Sequence, residues 1–402
     1  MEKIEWEYSD NDSLARVSKL TIDSKTVEGP FHATTKRDDD IYQEVVGNNR
    51  RENSINVVPE ALSKTTLDLI GSSMGAENAL ISRLTQKRSI RSDINVVYTR
   101  IPKRYEVKTG KNKSYFSIPS INQLQITSLV DVSLQCNTDI VVPPIPNAIT
   151  SYEHFKDILN RTKNQIQTFK KREKPIMGYI PSINEPQLVV KMIDDYLKND
   201  CRIFGVDFSG SSNNPALMAT VIGRLRDKLK VRKRVEEYYL HVFNAATVRK
   251  SEKEIAPVTN WLTHLYGVDS VSGTIWGGGG EVLDTEDEEL RKKERQKLIE
   301  KTRYIVRGDY GAYMKKAIHK VDCRCHICSK YNIDDIYEKS KYLKRIKVHN
   351  LDSYKEEYVE ISEKIRTGNN KLVPYIDAKT QTVNDAKRIM EGVHQIRATT
   401  GT

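Results

Sequence analysis

The sequence predicts an α/β protein, a (β/α)8 TIM barrel followed by a C-terminal subdomain, and three observations carry that prediction. Short apolar runs alternate with helical stretches of about ten to fifteen residues from Phe31 to Trp276, the pattern of βα units around a parallel sheet. Eight such runs can be counted, the number that closes a barrel whose functional site lies at the C-terminal strand ends. Beyond Glu281 the alternation stops and the chain turns charged and helix-rich. The expected division is therefore 1–280 for the barrel with an N-terminal β-hairpin, and 281–402 for a helical subdomain and tail.

The elements follow in order. Residues 15–36, ARVSKLTIDSKTVEGPFHATTK, alternate apolar and polar positions across a turn at Asp23-Ser24, so they read as a hairpin feeding the first strand. An acidic, asparagine-rich stretch through Asn53 reads as a loop. Ile55 to Leu62 and Ile94 to Thr99 read as strands separated by a helical stretch, and a basic loop follows from Lys103 to Lys113. Pro119 to Gln135 has helical spacing and leads to TDIVVPP, a strand stopped by two prolines. Helices over Tyr152–Phe169, Glu185–Asn199, Asn214–Lys228 and Lys253–Tyr266 then precede the strands IMGYIPS, RIFGVDFSG, YYLHVFNAA and VDSVSGTIW. A charged helix is expected over Thr285–Arg303, and order is expected to fade past Arg397.

With 402 residues, 38% of them hydrophobic, the chain can bury a full core. Its longest apolar stretches fall far short of the roughly 20 residues that span a bilayer, and the opening MEKIEWEYSDND has no apolar signal segment. A soluble, cytoplasmic protein with no membrane partner is expected. Lysine and arginine outnumber acids by 65 to 54, giving +11, and the excess clusters at Lys170 to Arg172, Arg224 to Arg234 and Arg291 to Lys297. Such clusters suit a polyanion, nucleic acid first among them, although a solvated basic surface has the same composition.

Three of the five cysteines lie within six residues, which is no secreted disulfide framework. The spacing is Cys323-X-Cys325-X-X-Cys328, then twenty residues, then His349. Three thiolates and one imidazole complete the closed tetrahedral set of structural Zn2+ and leave no position for a catalytic water. His326 is a rival ligand, but it sits in a turn that three thiolates already crowd.

The stretch VDCRCHICSKYNIDDIYEK followed by LKRIKVHNLDSYKEEYVEISEKIRTG resembles the zinc-binding end of the tRNA-guanine transglycosylase superfamily, especially its archaeosine-forming branch. The opening hairpin and YGVDSVSG look like that superfamily's first and last barrel strands, so the resemblance brackets residues 12 to 370. It implies the same barrel, and it implies base exchange. An aspartate attacks C1′ of a flipped nucleotide, guanine leaves, and a 7-deazaguanine attacks the glycosyl-enzyme.

Carried over residue by residue, the resemblance is incomplete. The superfamily's DSGGFQ is absent; RSDINVVYT stands in its place, with Asp93 nearest but preceding the apolar run. Where the superfamily has GxDxFD, this chain has Gly267-Val268-Asp269-Ser270-Val271-Ser272, so Ser272, a candidate substrate contact, stands where the resemblance puts the nucleophile, and either the catalytic candidate Asp269 takes over through a shifted register or the nucleophile comes from another strand. Asp207 is the physical candidate, because it follows an apolar run and opens the polar loop FSGSSNN. Glu60, Ser182, Asn184 and Asn244 follow other apolar runs and are candidate substrate contacts, with Glu60 a second carboxylate. A capping or solvated side chain is the alternative at each position. The glycines 277–280 form a flexible loop without a P-loop lysine, and His241 and His264 read as packing residues.

Only about fifty residues follow His349, which leaves no room for the RNA-binding domains of the archaeal tRNA enzymes. The resemblance therefore implies a DNA-modifying member that inserts a base such as 7-cyano-7-deazaguanine, with a protein partner available to open duplex DNA. The alternatives are a tRNA enzyme that borrows an RNA-binding partner and a non-catalytic subunit.

Overall fold

A computed structural model describes residues 2–47, 54–88, 94–109, 112–168, 174–183, 185–231, 238–248, 253–274, 302–318, 323–337, 342–368 and 370–400. The chain opens with an antiparallel sheet of β1 (Glu2–Ser9), β2 (Arg16–Ile22) and β3 (Lys25–Gly29). The register closes Ile22 on Lys25 and leaves Asp23-Ser24 as the turn, with Asp23 at φ +54° in the left-handed region that short polar residues tolerate. Strand β1 was not foreseen. Its period-two signal is Ile4 and Trp6 between charged residues, which with Glu2 make one half-buried face, the pattern of an edge strand; the register shifts after Trp6 and leaves Tyr8 exposed.

Among the described residues eight strands then run parallel. They are β4 (Phe31–Ala33), β5 (Ile55–Ala61), β6 (Ile94–Arg100), β9 (Ile140–Val141), β10 (Met177–Ile180), β11 (Ile203–Asp207), β12 (Tyr239–Ala245) and β14 (Ser270–Gly273). They form a five-stranded sheet in the order β10-β11-β12-β14-β4 and a three-stranded sheet in the order β5-β6-β9. Two isolated parallel bridges, Thr34 with Asn56 and Val141 with Ile176, fall between the edges of these sheets. The helices between strands are α1 (Lys36–Val46), α2 (Lys64–Leu69), α3 (Met74–Gln86), α4 (Gln123–Gln135), α5 (Tyr152–Thr168), α6 (Pro186–Lys198) and α7 (Pro215–Val231). Buried on both faces, the strands read as near-continuous Val, Ile and Leu runs.

Four expectations are corrected. The acidic loop after Thr35 is α1: Thr35 accepts from the Asp38 N–H and Asp38 returns a bond to Thr35, a capping box that uses the acidic run in the first turn. The basic loop is an antiparallel ribbon, β7 (Tyr105–Thr109) with β8 (Asn112–Phe116). The helix expected over Lys253–Tyr266 is instead β13 (Ile255–Pro257) and a buried 3₁₀ helix, Thr259–Tyr266. Pro257 has no N–H for a continuing helix, and Ile255 to Pro257 pair with a later strand. Arg303, expected to end a helix, opens a strand.

That strand is β15 (Arg303–Val306), which pairs with β16 (Gly311–Met314), and β13 completes the three-stranded sheet. The long helix Tyr342–Thr367 follows and sends Tyr354, Tyr358, Ile361 and Ile365 into the core shared with the parallel strands. A second, smaller core gathers Tyr42, Tyr304, Cys325, Ile327, Ile346 and Leu351 around the cysteine loop. The last helix, Val383–Thr400, continues past Arg397, whose guanidinium donates to the Asn11 and Ser13 carbonyls. Among the described residues no helix is long and apolar enough to cross a membrane.

Candidate functional site

Asp207 is the last residue of β11 and is fully buried. Its Oδ2 accepts from the Tyr98 hydroxyl at 2.8 Å, the Tyr179 hydroxyl at 2.9 Å, the Asn147 amide at 2.8 Å and the Arg100 Nε at 3.3 Å. Its Oδ1 accepts from the Asn244 amide at 3.0 Å and the Ser209 N–H at 2.5 Å. Burial by itself would raise the pKa of Asp207. Arg100, the two asparagine amides and the Ser209 N–H outweigh that and hold the carboxyl below its ordinary value. The group is a buried anion at neutral pH.

The strand ends build this cluster. Tyr98 and Arg100 come from β6, Asn147 from the loop after β9, Tyr179 from β10 and Asn244 from β12. Ser209 and Asn244 both take positive φ, +50° and +55°, and adjacent loop backbones are tied by Gly210 N–H to Asn244 O at 2.9 Å. Non-glycine residues in that region carry strain and persist where the surroundings hold them, which is common at functional sites. Phe243 stacks on Tyr98 at 4.3 Å.

The other candidates lie elsewhere. Asp269 precedes β14, and since β11 and β14 run in parallel it sits at the opposite strand ends from Asp207. There it accepts from Arg16, from the Ser18 hydroxyl at 2.6 Å and from the Leu240 N–H at 2.7 Å. Glu60 is drawn to α3, with Lys87 at 2.5 Å and Arg83 at 3.2 Å. Ser272 is buried and bonds the Val242 carbonyl at 3.2 Å, while Ser182 is half-buried in the loop after β10. Asp93, Asn184 and the glycines 277–280 lie outside the described residues, as do the basic clusters 170–172 and 291–297. His241 and His264 are fully buried, and burial first of all pushes them down to about 3 and about 4.

Sequence reasoning found Asp207 and Asn244 but missed Tyr98, Arg100, Asn147 and Tyr179. The signal was present in part: YTR and GYIP place polar groups where an apolar run ends, the same cue that singled out Asp207. Asn147, inside the proline-rich PPIPNA, gave none.

The second site is a candidate metal centre. Cys323, Cys325, Cys328 and His349 bring their ligand atoms within 4.8 Å of one another, and the three Sγ atoms lie 3.7, 3.3 and 3.5 Å from His349 Nδ1. A tetrahedral ion with Zn–S near 2.3 Å and Zn–N near 2.0–2.1 Å has S···N edges of about 3.6 Å, so the donor set and its spacing fit zinc. The His349 Nε2 bonds the Ile305 carbonyl at 2.8 Å, which fixes the ring with Nδ1 toward the thiols. Tyr304 stacks on the ring at 3.7 Å and its hydroxyl lies 2.8 Å from Cys328 Sγ. His326 faces away, toward Asp352 at 3.4 Å and Tyr42 at 3.3 Å.

No family model matches the chain, and no curated protein matches it in sequence.

Proposed function

We propose that the protein is a DNA base-exchange transglycosylase that replaces guanine with a 7-deazaguanine, working at the C-terminal ends of a closed (β/α)8 barrel stapled by structural zinc. The observation that carries this reading is Asp207, a carboxylate kept ionised by six donors at the strand ends where such barrels do their chemistry. Closure is supported by the bonds between sheet edges: Thr34 N–H to Ile55 O at 3.2 Å, Val57 N–H to Thr34 O at 3.0 Å and Val141 N–H to Pro175 O at 2.9 Å. Cys323, Cys325, Cys328 and His349 would hold the zinc, which supplies a cross-link and no chemistry.

In the proposed reaction an Asp207 oxygen attacks C1′ of the flipped nucleotide as the C1′–N9 bond breaks, and guanine leaves with a proton. The incoming 7-deazaguanine, losing its ring N–H proton, then attacks C1′ and releases the carboxylate. Tyr98 and Tyr179 share the attacking oxygen and are the proton carriers nearest to it. The substrate must displace some of the six donors first. Arg100, whose side chain is 12% exposed, is the one placed to swing away. Asp269 and Glu60, each committed to basic partners away from this cluster, have structural roles in this reading.

Full burial of Asp207 favours a second reading, a non-catalytic binding subunit whose carboxylate only holds the loops together. Nucleoside mass spectrometry of plasmid DNA and of tRNA, each incubated with protein and 7-cyano-7-deazaguanine, decides among the readings. A modified deoxynucleoside supports the proposal, modification of tRNA alone moves the substrate to RNA, and neither product favours the binding subunit.

A further inference from the structure

Arg100 and Ser209 are the solvent-facing members of the Asp207 cluster. Tyr98, Asn147, Tyr179 and Asn244 are each at most 2% exposed, whereas Arg100 and Ser209 are half-buried. The Asp207 oxygen that Arg100 shares is oversubscribed. A carboxylate oxygen offers about two lone-pair directions, and four donors converge on Oδ2. Arg100 Nε is the farthest of them, at 3.3 Å against 2.8–2.9 Å for the others, and so the partner most readily released.

This lip also holds unused donors. Ser209 Oγ accepts from Arg100 Nη2 at 3.3 Å and from Asn147 Nδ2 at 3.4 Å, so its own O–H turns away from both. Arg100 Nη1 has no hydrogen-bond acceptor among the described residues. A guanidinium fork beside a hydroxyl is a donor set suited to phosphate. A nucleotide reacting at Asp207 would bring one there. Its C1′ would stand about 3–3.5 Å from the attacking oxygen, with the phosphates that flank the sugar one ring's breadth further out, because a flipped base is buried and its backbone is not.

We infer that Arg100 and Ser209 bind a phosphodiester flanking the flipped nucleotide, and that Arg100 leaves Asp207 for this phosphate as the substrate docks. The inference rests on the proposed reading for the kind of substrate and deepens it with a trigger. One ion pair replaces another, Arg100 stays charged and no proton moves. Burial pushes the Asp207 carboxyl up and Arg100 is the strongest influence holding it down, so its departure leaves the carboxylate less neutralised as C1′ arrives. A free nucleoside, with no phosphate to draw Arg100 away, meets a masked carboxylate.

The test compares two short single-stranded DNA oligonucleotides that contain one guanosine, one with ordinary phosphodiesters and one with neutral methylphosphonates on both sides of that guanosine. Binding is read by fluorescence anisotropy across a salt series and base exchange by nucleoside mass spectrometry. Wild type is expected to bind the neutralised strand more weakly, with the slope of log K against log salt lower by about 0.7, one phosphate's worth, and to exchange its base about tenfold more slowly. Arg100→Gln, its fold confirmed by thermal melt, is expected to treat the two strands alike, and Ser209→Gly to discriminate less than wild type. Ser209→Gly keeps the N–H that Asp207 uses and suits the positive φ, so it carries the test if Arg100→Gln does not fold. Matching RNA strands run beside the DNA identify which backbone docks. Equal treatment of the two strands by wild type, undiminished discrimination by the folded variants, or no nucleic-acid binding by wild type overturns the inference. Exchange without discrimination overturns the phosphate site alone, whereas Arg100-dependent discrimination in binding by a protein that exchanges no base keeps the phosphate site and contradicts the transglycosylase reading.

Discussion

The guanidinium of Arg16 and the carboxylate of Asp269 meet in a doubly hydrogen-bonded pair whose side chains are 1% and 0% exposed. Arg16 lies on β2, 3.8 Å over the Trp6 ring and 4.3 Å over the Tyr238 ring, two rings that meet edge to face, so the pair ties the N-terminal sheet to the start of β14. Removing one member leaves the other charge buried without its partner. Asp269→Ala is therefore expected to cost about 3–5 kcal/mol in urea unfolding, and pairing it with Arg16→Leu should recover part of that loss. Normal stability with lost activity in Asp269→Ala would instead assign this carboxylate a chemical role.

Metal analysis of the purified protein should give one zinc per chain. Cys325→Ser or His349→Ala should lose the metal and loosen the small core of Tyr304, Ile327, Ile346 and Leu351, read as faster amide exchange there. His326→Ala should keep the metal, since its ring faces Asp352 and Tyr42. Retention of metal by His349→Ala together with its loss from His326→Ala would reverse the ligand assignment.

Glu2 is pushed up to about 7 by burial, with Arg202 opposing. Between its ordinary value of 4.5 and 7 the folded chain holds a proton that the unfolded chain has released, so this group lowers stability as pH rises through that window. Glu2→Gln should then gain in melting temperature over wild type on going from pH 5 to pH 8. An offset independent of pH would remove Glu2 as the cause.

Asp207 has the opposite sign. Its folded value lies below the ordinary 3.8, so the stability it contributes is present above about pH 4 and lost as the pH falls further. Asp207→Asn should be less stable than wild type at pH 7, and the gap should narrow in acid unfolding below pH 4. A gap unchanged down to pH 2 would mean that the carboxylate charge is not what the six donors stabilise.

The parallel strands were legible because strands buried on both faces must be largely apolar, as INVV and IFGV are at the starts of β5 and β11, and that survives in any single sequence. The thiols of the candidate metal site were legible because their spacing is local. What stayed hidden depended on partners far along the chain. The acidic run after Thr35 became a helix through a cap, Ile255 to Pro257 became a strand only because Gly311 to Tyr313 pair with them, and Asp269 reads like a strand-end acid until Arg16 reaches it across more than 250 positions. The donors around Asp207 come from five different segments, so no spacing rule gathers them.

The most direct test of the central claim is base exchange by Asp207→Asn beside Asp269→Asn, measured as the 7-deazaguanine deoxynucleoside formed in plasmid DNA by protein whose folding has been confirmed by thermal melt. The account predicts that wild type forms it, that Asp207→Asn forms none, and that Asp269→Asn retains activity in proportion to its folded fraction. Unimpaired exchange by folded Asp207→Asn would contradict the account and move the nucleophile to another residue.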